Sequence, residues 1–286
     1  MTELIRGAFL ANFLIALDPW LPLALAATAL AYGFDFRRAD GPPRALPTWL
    51  LRITFAAMLA RFFAFLAVYG RPALASPTEA LGTIALAIVV VYGILEALHR
   101  DRSVAFPLLS LATIAKTAAM LGPPPVPVAN ELLTQTWFGF HAMSAILGYT
   151  GFSVGAVYAV LFLVLYSRLK RHQFGVFWER LPPLDELATM AIRGAGLGFL
   201  FLTFAMVAGA FGWSKLLDHP VWQDPKVVST FLAWLAYAIG LGLYYFRGWR
   251  GFRCVWITLV AFGLMIVSSW VVPALLGSSH GVSGLS

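Results

Sequence analysis

The sequence predicts an all-α fold, a polytopic integral membrane bundle of about eight transmembrane helices with both termini facing outward. Three observations carry that prediction. Hydrophobic residues make up 60% of the 286 residues and charged residues only 12%, with a mean hydropathy of +0.81, whereas an ordinary soluble domain is roughly 45–50% apolar and about 25% charged. The apolar residues fall in runs of about 20, the length a helix needs to cross about 30 Å of hydrocarbon with its backbone polar groups satisfied internally. Basic residues sit in the short gaps between these runs and alternate in abundance from gap to gap, the pattern that sets membrane topology. No gap is long enough to hold a soluble domain, so the chain reads as a single membrane domain, 1–286.

The expected spans run approximately from 14 to 34, 48 to 69, 80 to 98, 104 to 121, 138 to 166, 188 to 212, 228 to 246 and 254 to 276. Asp18, Pro19 and Trp20 interrupt the first, which predicts a kink at Pro19 with Asp18 near the outer interface. Its start also imitates a secretory signal, with Arg6, an apolar run and the stretch Ala24 to Ala27. Cleavage there would leave Arg37, Arg38 and Arg44 on an outward tail, against the charge pattern, so the segment is retained as a span.

The second span carries Arg52 and Arg61, the third Glu96, the fourth Lys116 and the sixth Arg193. Arg52, Glu96 and Arg193 lie close enough to cytoplasmic ends to snorkel. Arg61 is the deepest and calls for a backbone carbonyl or a carboxylate, or else for contact with a ligand's carboxylate or a role on an ion pathway. After the fourth span, Gly122, Pro123, Pro124, Pro125, Val126 and Pro127 cannot continue a helix and predict a stiff connector. Spans five and six carry Gly148, Gly151 and Gly155, then Gly194, Gly196 and Gly198, small residues that let helix backbones approach closely in lipid.

Orientation follows from the gaps. One alternating set contains Arg37, Arg38, Arg44, Arg100 and Arg102, then Arg168, Lys170, Arg171, Arg180, Arg247, Arg250 and Arg253, twelve in all. The other contains Arg6, Arg71, Lys215 and Lys226. The richer set is cytoplasmic, which places the chain in the cell's inner (cytoplasmic) membrane with 70–79, 121–137, 213–227 and the tail after 276 outside. The net charge of +7 is therefore topological, and no nucleic acid partner follows from it. Cys254 is the lone cysteine, which excludes an internal disulfide, a CxxC redox pair and a cysteine-rich zinc site.

Of five histidines, His99 and His172 fall in cytoplasmic gaps, while His141, His219 and His280 gather on the outer side together with Trp213, Trp222 and Trp270. Neutral imidazole ligates iron, copper and zinc, and two imidazoles from different helices can hold haem iron axially. Indoles offer flat apolar contact to a porphyrin, and Lys215 and Lys226 offer cations to propionates. Interfacial tryptophans also serve as belt residues, and His219, Asp218 and His280 would alternatively suit zinc or copper.

The stretch Gly209, Ala210, Phe211, Gly212, Trp213, then Val221, Trp222, Gln223, Asp224, Pro225, Lys226, leading to Trp234, Tyr237 and the gap Arg247 to Gly251, resembles the cytochrome c assembly protein family. These are haem-handling membrane proteins with a tryptophan-rich WWD loop. The resemblance covers 137 to 280 well, including the Leu165 to Lys170 run, and the helices of 1–136 by hydropathy only. It implies haem b as cofactor, His141 and His280 as axial ligands with His219 the alternative, and Trp213, Lys215, Trp222, Asp224, Pro225 and Lys226 around it. It further implies presentation of haem on the outer face to apocytochrome c, a non-enzymatic role beside other cytochrome c maturation proteins. The loop departs from the family pattern: Lys215 to Pro220 replace tryptophans, Val227 replaces a Glu, and no span holds a histidine at its middle. That departure keeps open a HemX-like accessory or regulatory subunit with a degenerate haem site. A transporter ranks behind both, because no pair of broken helices marks a midplane site.

Overall fold

The computed structural model describes residues 12–14, 16–38, 44–74, 76–99, 102–122, 135–213, 223–272 and 275. Among them there is no β-strand. The helices are α1 (Trp20–Arg37), α2 (Ala45–Tyr69), α3 (Pro77–His99), α4 (Ala105–Met120), α5 (Thr136–Lys170), the short α6 (Val176–Arg180), α7 (Leu184–Trp213), α8 (Pro225–Arg247) and α9 (Phe252–Ile266). A π-helical turn, Val267–Val271, extends α9. The protein is thus an all-α, multi-pass membrane bundle.

Among the described residues, six helical segments are long and apolar enough to cross a membrane: α2, α3, α5, α7, α8 and the continuous Phe252–Val271. The first and fourth expected spans are shorter than expected. Helix α1 has 18 residues and α4 only 16, or about 24 Å for the latter. Helix α1 starts late because the chain turns at Asp18 and Pro19, where proline's missing N–H suits a helix start better than a helix interior.

Local sequence explains the other ends. Ser76 and Glu79 open α3 with the Ser-x-x-Glu pattern, Ser76 Oγ accepting from the Glu79 N–H at 3.1 Å. Helix α2 stops at Gly70 and α8 at Gly248, at φ 65° and 67°, the left-handed cap that glycine adopts without strain. His172 ends α5 in the same region, at φ 53°.

The chain divides into two compact units, residues 1–134 and 135–286. In the first, α1 to α4 pack around Leu21, Leu25, Ile88, Leu108 and Leu109, all nearly inaccessible. Charged side chains inside this unit are partnered. Glu96 does not simply snorkel, as its position suggested. It accepts from Tyr32 Oη at 2.5 Å, Thr48 Oγ1 at 3.0 Å and Arg102 Nε at 3.1 Å, while Arg102 also reaches Asp35, Thr48 and the Arg44 carbonyl. One carboxylate thereby ties α1, α2, α3 and the lead-in to α4. At the opposite ends of these helices Arg71 grips Glu79 bidentately at 2.7 and 2.9 Å. Arg61 finds a carboxylate, Asp18, and so does Lys116.

In the second unit α5 and α7 meet backbone to backbone. A Cβ added to Gly151 would lie 2.7 Å from Gly198 N, and one on Gly194 would lie 2.7 Å from Gly155 N. The glycines are therefore packing residues, since only a bare Cα permits this approach. Phe152 of α5 stacks on Tyr237 of α8 at 3.9 Å, with Ala195, Leu202, Ala233, Ala261 and Met265 completing the core.

Candidate haem-binding cavity

The close α5–α7 contact continues to the end where α5 begins and α7 finishes, and there it admits two rings. A Cβ on Gly212 would stand 2.0 Å from the Trp137 indole, and one on Gly209 would stand 2.9 Å from His141 Nδ1. Glycines three apart on α7 thus clear the space that Trp137 and His141 of α5 occupy. His141 Nδ1 lies 2.7 Å from the Ala205 carbonyl oxygen. A carbonyl only accepts, so Nδ1 carries a proton, and in the neutral ring the lone pair that a metal would use is then on Nε2. A carbonyl behind one ring nitrogen is also the arrangement that orients metal-ligating histidines and raises their basicity.

His141 lines a cavity of about 220 Å³ between α5, α7 and α8. Its polar edge consists of His141, Tyr149, Lys226 and Thr230. The walls are apolar, from Ala145, Leu202, Met206, Ala210 and Val227. His141, Ala145 and Tyr149 follow one another at a spacing of four, so one stripe of α5 lines it.

The start of α8 positions the cation. Asp224, 3% exposed, is the N-cap, its carboxylate accepting from the Lys226 N–H at 2.8 Å, and Pro225 occupies the first turn. Asp-Pro-Lys is therefore a helix-start motif here, and its effect is to deliver Lys226 to the cavity. Behind the cavity, Tyr149 shares a hydrogen bond of 2.5 Å with Ser269, while Ser268 bonds with Ser229 and Thr230 at 3.0 and 2.9 Å. Ser268 and Ser269 both belong to the π-turn, and as consecutive helical residues they face two different helices, α8 and α5.

Of the residues expected around haem, the structure brings His141 and Lys226 to one cavity and gives Asp224 and Pro225 the role of starting α8. Lys215, His219, Trp222 and His280 lie outside the described residues, as does Asp218, and the Trp213 side chain does too. Among the described residues no group of three or more His, Cys, Asp or Glu could hold a metal ion. Tyr149 and Thr230 were not anticipated. The four-residue step from His141 through Ala145 is the signal that could have found Tyr149, whereas nothing local marks Thr230.

The residues present fit part of a haem: one imidazole held through Nδ1 by a carbonyl, one ammonium, and apolar walls beside Gly209. At about 220 Å³ the cavity is below the roughly 300–1,000 Å³ that encloses a drug-sized ligand. A macrocycle held at His141 would need further cover beyond these walls.

The family described as cytochrome C assembly protein matches residues 74–278, well forward of the 137 at which the motif-based resemblance became strong. Among curated proteins, the chain is 26% identical to Protein HemX of Bacillus subtilis over 249 residues, covering 84% of this chain and 88% of that protein. It is 24% identical to Protein HemX of Brevibacillus brevis, over 76% of this chain and 80% of that one. It is also 30% identical to cytochrome c biogenesis protein CcsA of Chlamydomonas reinhardtii over 131 residues, which are 46% of this chain and 36% of that protein.

Proposed function

The chain belongs to the cytochrome c assembly protein family, and from that premise we propose that it is a haem-handling membrane component of cytochrome c maturation, holding haem b at His141. The single observation that carries this reading is His141 itself, with Nδ1 fixed on the Ala205 carbonyl at 2.7 Å in the space left by Gly209. Bound haem would supply the iron and the vinyl groups that attachment to a cytochrome requires. This chain's residues supply position. His141 would offer Nε2 to the iron with its ring held by the Ala205 carbonyl, Lys226 would meet a propionate, and the apolar walls would keep water from that face. On this reading His280, or alternatively His219, would be the second ligand to the iron, and Trp213, Lys215 and Trp222 would contact the haem.

The twelve-to-four distribution of basic residues supports an inner-membrane location with this cavity on the outer side, facing apocytochrome c. Cys254 is buried in the α9 region, so reduction of apocytochrome thiols falls to partner proteins. A second reading rests on coverage: the matches to the two HemX proteins span 84% and 76% of this chain, those to CcsA proteins between 32% and 68%. On that reading the protein is a HemX-like accessory or regulatory subunit with a degenerate haem site.

An optical spectrum of detergent-purified protein expressed with ample haem, oxidised and then reduced, separates the two. The haem reading expects a Soret band and sharp reduced bands that His141→Ala removes while the protein still inserts. A folded wild type without a Soret band overturns it and leaves the accessory reading.

A further inference from the structure

Between α5 and α7 the second unit carries two large aromatic side chains that its core does not bury. Phe174 is 64% exposed and Trp178 50% exposed, and their rings meet edge to face at 5.8 Å. The path that presents them is fixed locally. At the end of α5 the His172 and Gln173 N–H groups donate back to the Leu169 and Arg168 carbonyls, His172 turns the chain at φ 53°, and the short α6 then begins at Val176. Two adjacent rings left open forgo the gain from burial unless another surface covers them.

Position and charge identify that surface. Helices α5 and α7 are both long and apolar enough to cross a membrane, so the loop joining them lies within a few residues of the lipid headgroups on one side. Exposed Arg168, Lys170 and Arg171 precede the rings, and Arg180 follows them. Tyr166 of α5 meets Phe252 of α9 at 5.2 Å, which brings the exposed Arg247, Arg250 and Arg253 to the same end of the unit. Against these cations stand only Glu179, Asp185 and Glu186. Apolar rings beside an excess of positive charge, at the level where spans end, complement a bilayer surface that carries anionic lipid. An acidic protein would match the charge, but the closeness of the rings to the membrane favours lipid.

We propose that the α5–α7 loop, residues 171–183, is an interfacial anchor for anionic phospholipid: Phe174 and Trp178 insert between headgroups and acyl chains, and Arg168, Lys170 and Arg171 bind lipid phosphates. The anchor lies at the opposite end of α5 from His141 and does not depend on haem. Its effect is to fix to the membrane the ends of the two helices that pack backbone to backbone.

The test places the full chain in nanodiscs of equal parts phosphatidylcholine and phosphatidylglycerol, with bromine on the acyl chains of one lipid or the other. Subtracting the emission of Trp178→Phe from that of the wild type isolates Trp178 among the ten tryptophans. Brominated phosphatidylglycerol should quench this difference about twofold more than brominated phosphatidylcholine, and acrylamide should quench it little. Combining Arg168→Gln, Lys170→Gln and Arg171→Gln should remove the preference. Should Trp178→Phe fail to fold, photoactivatable phosphatidylglycerol decides in the wild type, with attachment expected on the peptide 172–180. Equal quenching by the two lipids, a preference that survives the triple replacement, or a 172–180 peptide without attached lipid overturns the proposal. So does a Trp178 that acrylamide reaches and neither lipid quenches, which would leave this face to an acidic protein.

Discussion

The imidazole of His141 occupies the space that a side chain at position 209 would fill: a Cβ on Gly209 would lie 2.9 Å from Nδ1 and 3.0 Å from Cε1. Gly209→Ala therefore pushes the ring off the Ala205 carbonyl, although alanine is intrinsically the better helix residue by about 1 kcal/mol. The expected result is a protein that inserts and unfolds near the wild-type temperature but retains haem roughly 10–100-fold more weakly, the usual cost of losing a group that orients a metal ligand. Comparing the Soret band per protein with the unfolding temperature checks both halves. Unchanged haem content would mean that the Ala205 contact does not hold the ligand.

The α5–α7 seam makes a different prediction, because Gly151 faces backbone atoms that have no rotamer in which to retreat. A Cβ there would lie 2.7 Å from Gly198 N and 2.9 Å from its Cα. Gly151→Val should separate the helices and cost about 1–3 kcal/mol, the range for overpacking. Gly196→Ala, where a Cβ meets nothing within 4 Å, should leave stability unchanged or slightly raised. Thermal unfolding of the pair in one detergent reads the contrast, and equal effects would remove close packing as the reason for these glycines.

How much of this was legible in the sequence follows from what each feature depends on. Helix positions depend on burial in lipid, a property of each segment alone, so 188 to 212 was expected and Leu184–Trp213 is found. Partnerships depend on which helices adjoin. Lys116 pairs with Asp18 across 98 positions, and His141 with Ala205 across 64. Neither is written in any local pattern. Arg61's depth announced that it needed a partner without saying which. That His141 and Lys226 belong near one another was suggested by a motif, and both line one cavity, whereas the helix-starting part of Asp224 and Pro225 appears only once α8 is seen to begin there. Glu96 was misread because nearness to a helix end allows snorkelling but does not compel it.

That network yields the third prediction. Glu96 holds Tyr32, Thr48 and Arg102 at once, with 12% of its side chain exposed. Glu96→Leu leaves Arg102 without that charge partner in a partly buried place and should cost about 3 kcal/mol, as removing one member of a buried pair does. Glu96→Gln keeps the shape and one accepting oxygen and should lose less. Both variants lie in the first unit, so haem absorbance per folded molecule at the His141 cavity should not change. A matched loss of absorbance and stability would show instead that the network shapes the haem site.

The last prediction separates two uses of Asp224. Its carboxylate caps α8 by accepting from the Lys226 N–H at 2.8 Å, and asparagine is as good an N-cap as aspartate, while alanine is poorer by about 1 kcal/mol. Asp224→Asn should therefore keep α8 starting at Pro225, keep Lys226 at the cavity and keep haem. Asp224→Ala should loosen the first turn of α8 and release Lys226, so that it reproduces Lys226→Met: the His141-dependent Soret band stays in position, but haem washes out of the protein faster. Dissociation measured by transfer of haem to an apoglobin acceptor gives that rate for all three variants. If asparagine fails as badly as alanine, the charge of Asp224 matters at the cavity beyond the helix it starts, and the family motif is then a ligand motif as well as a cap.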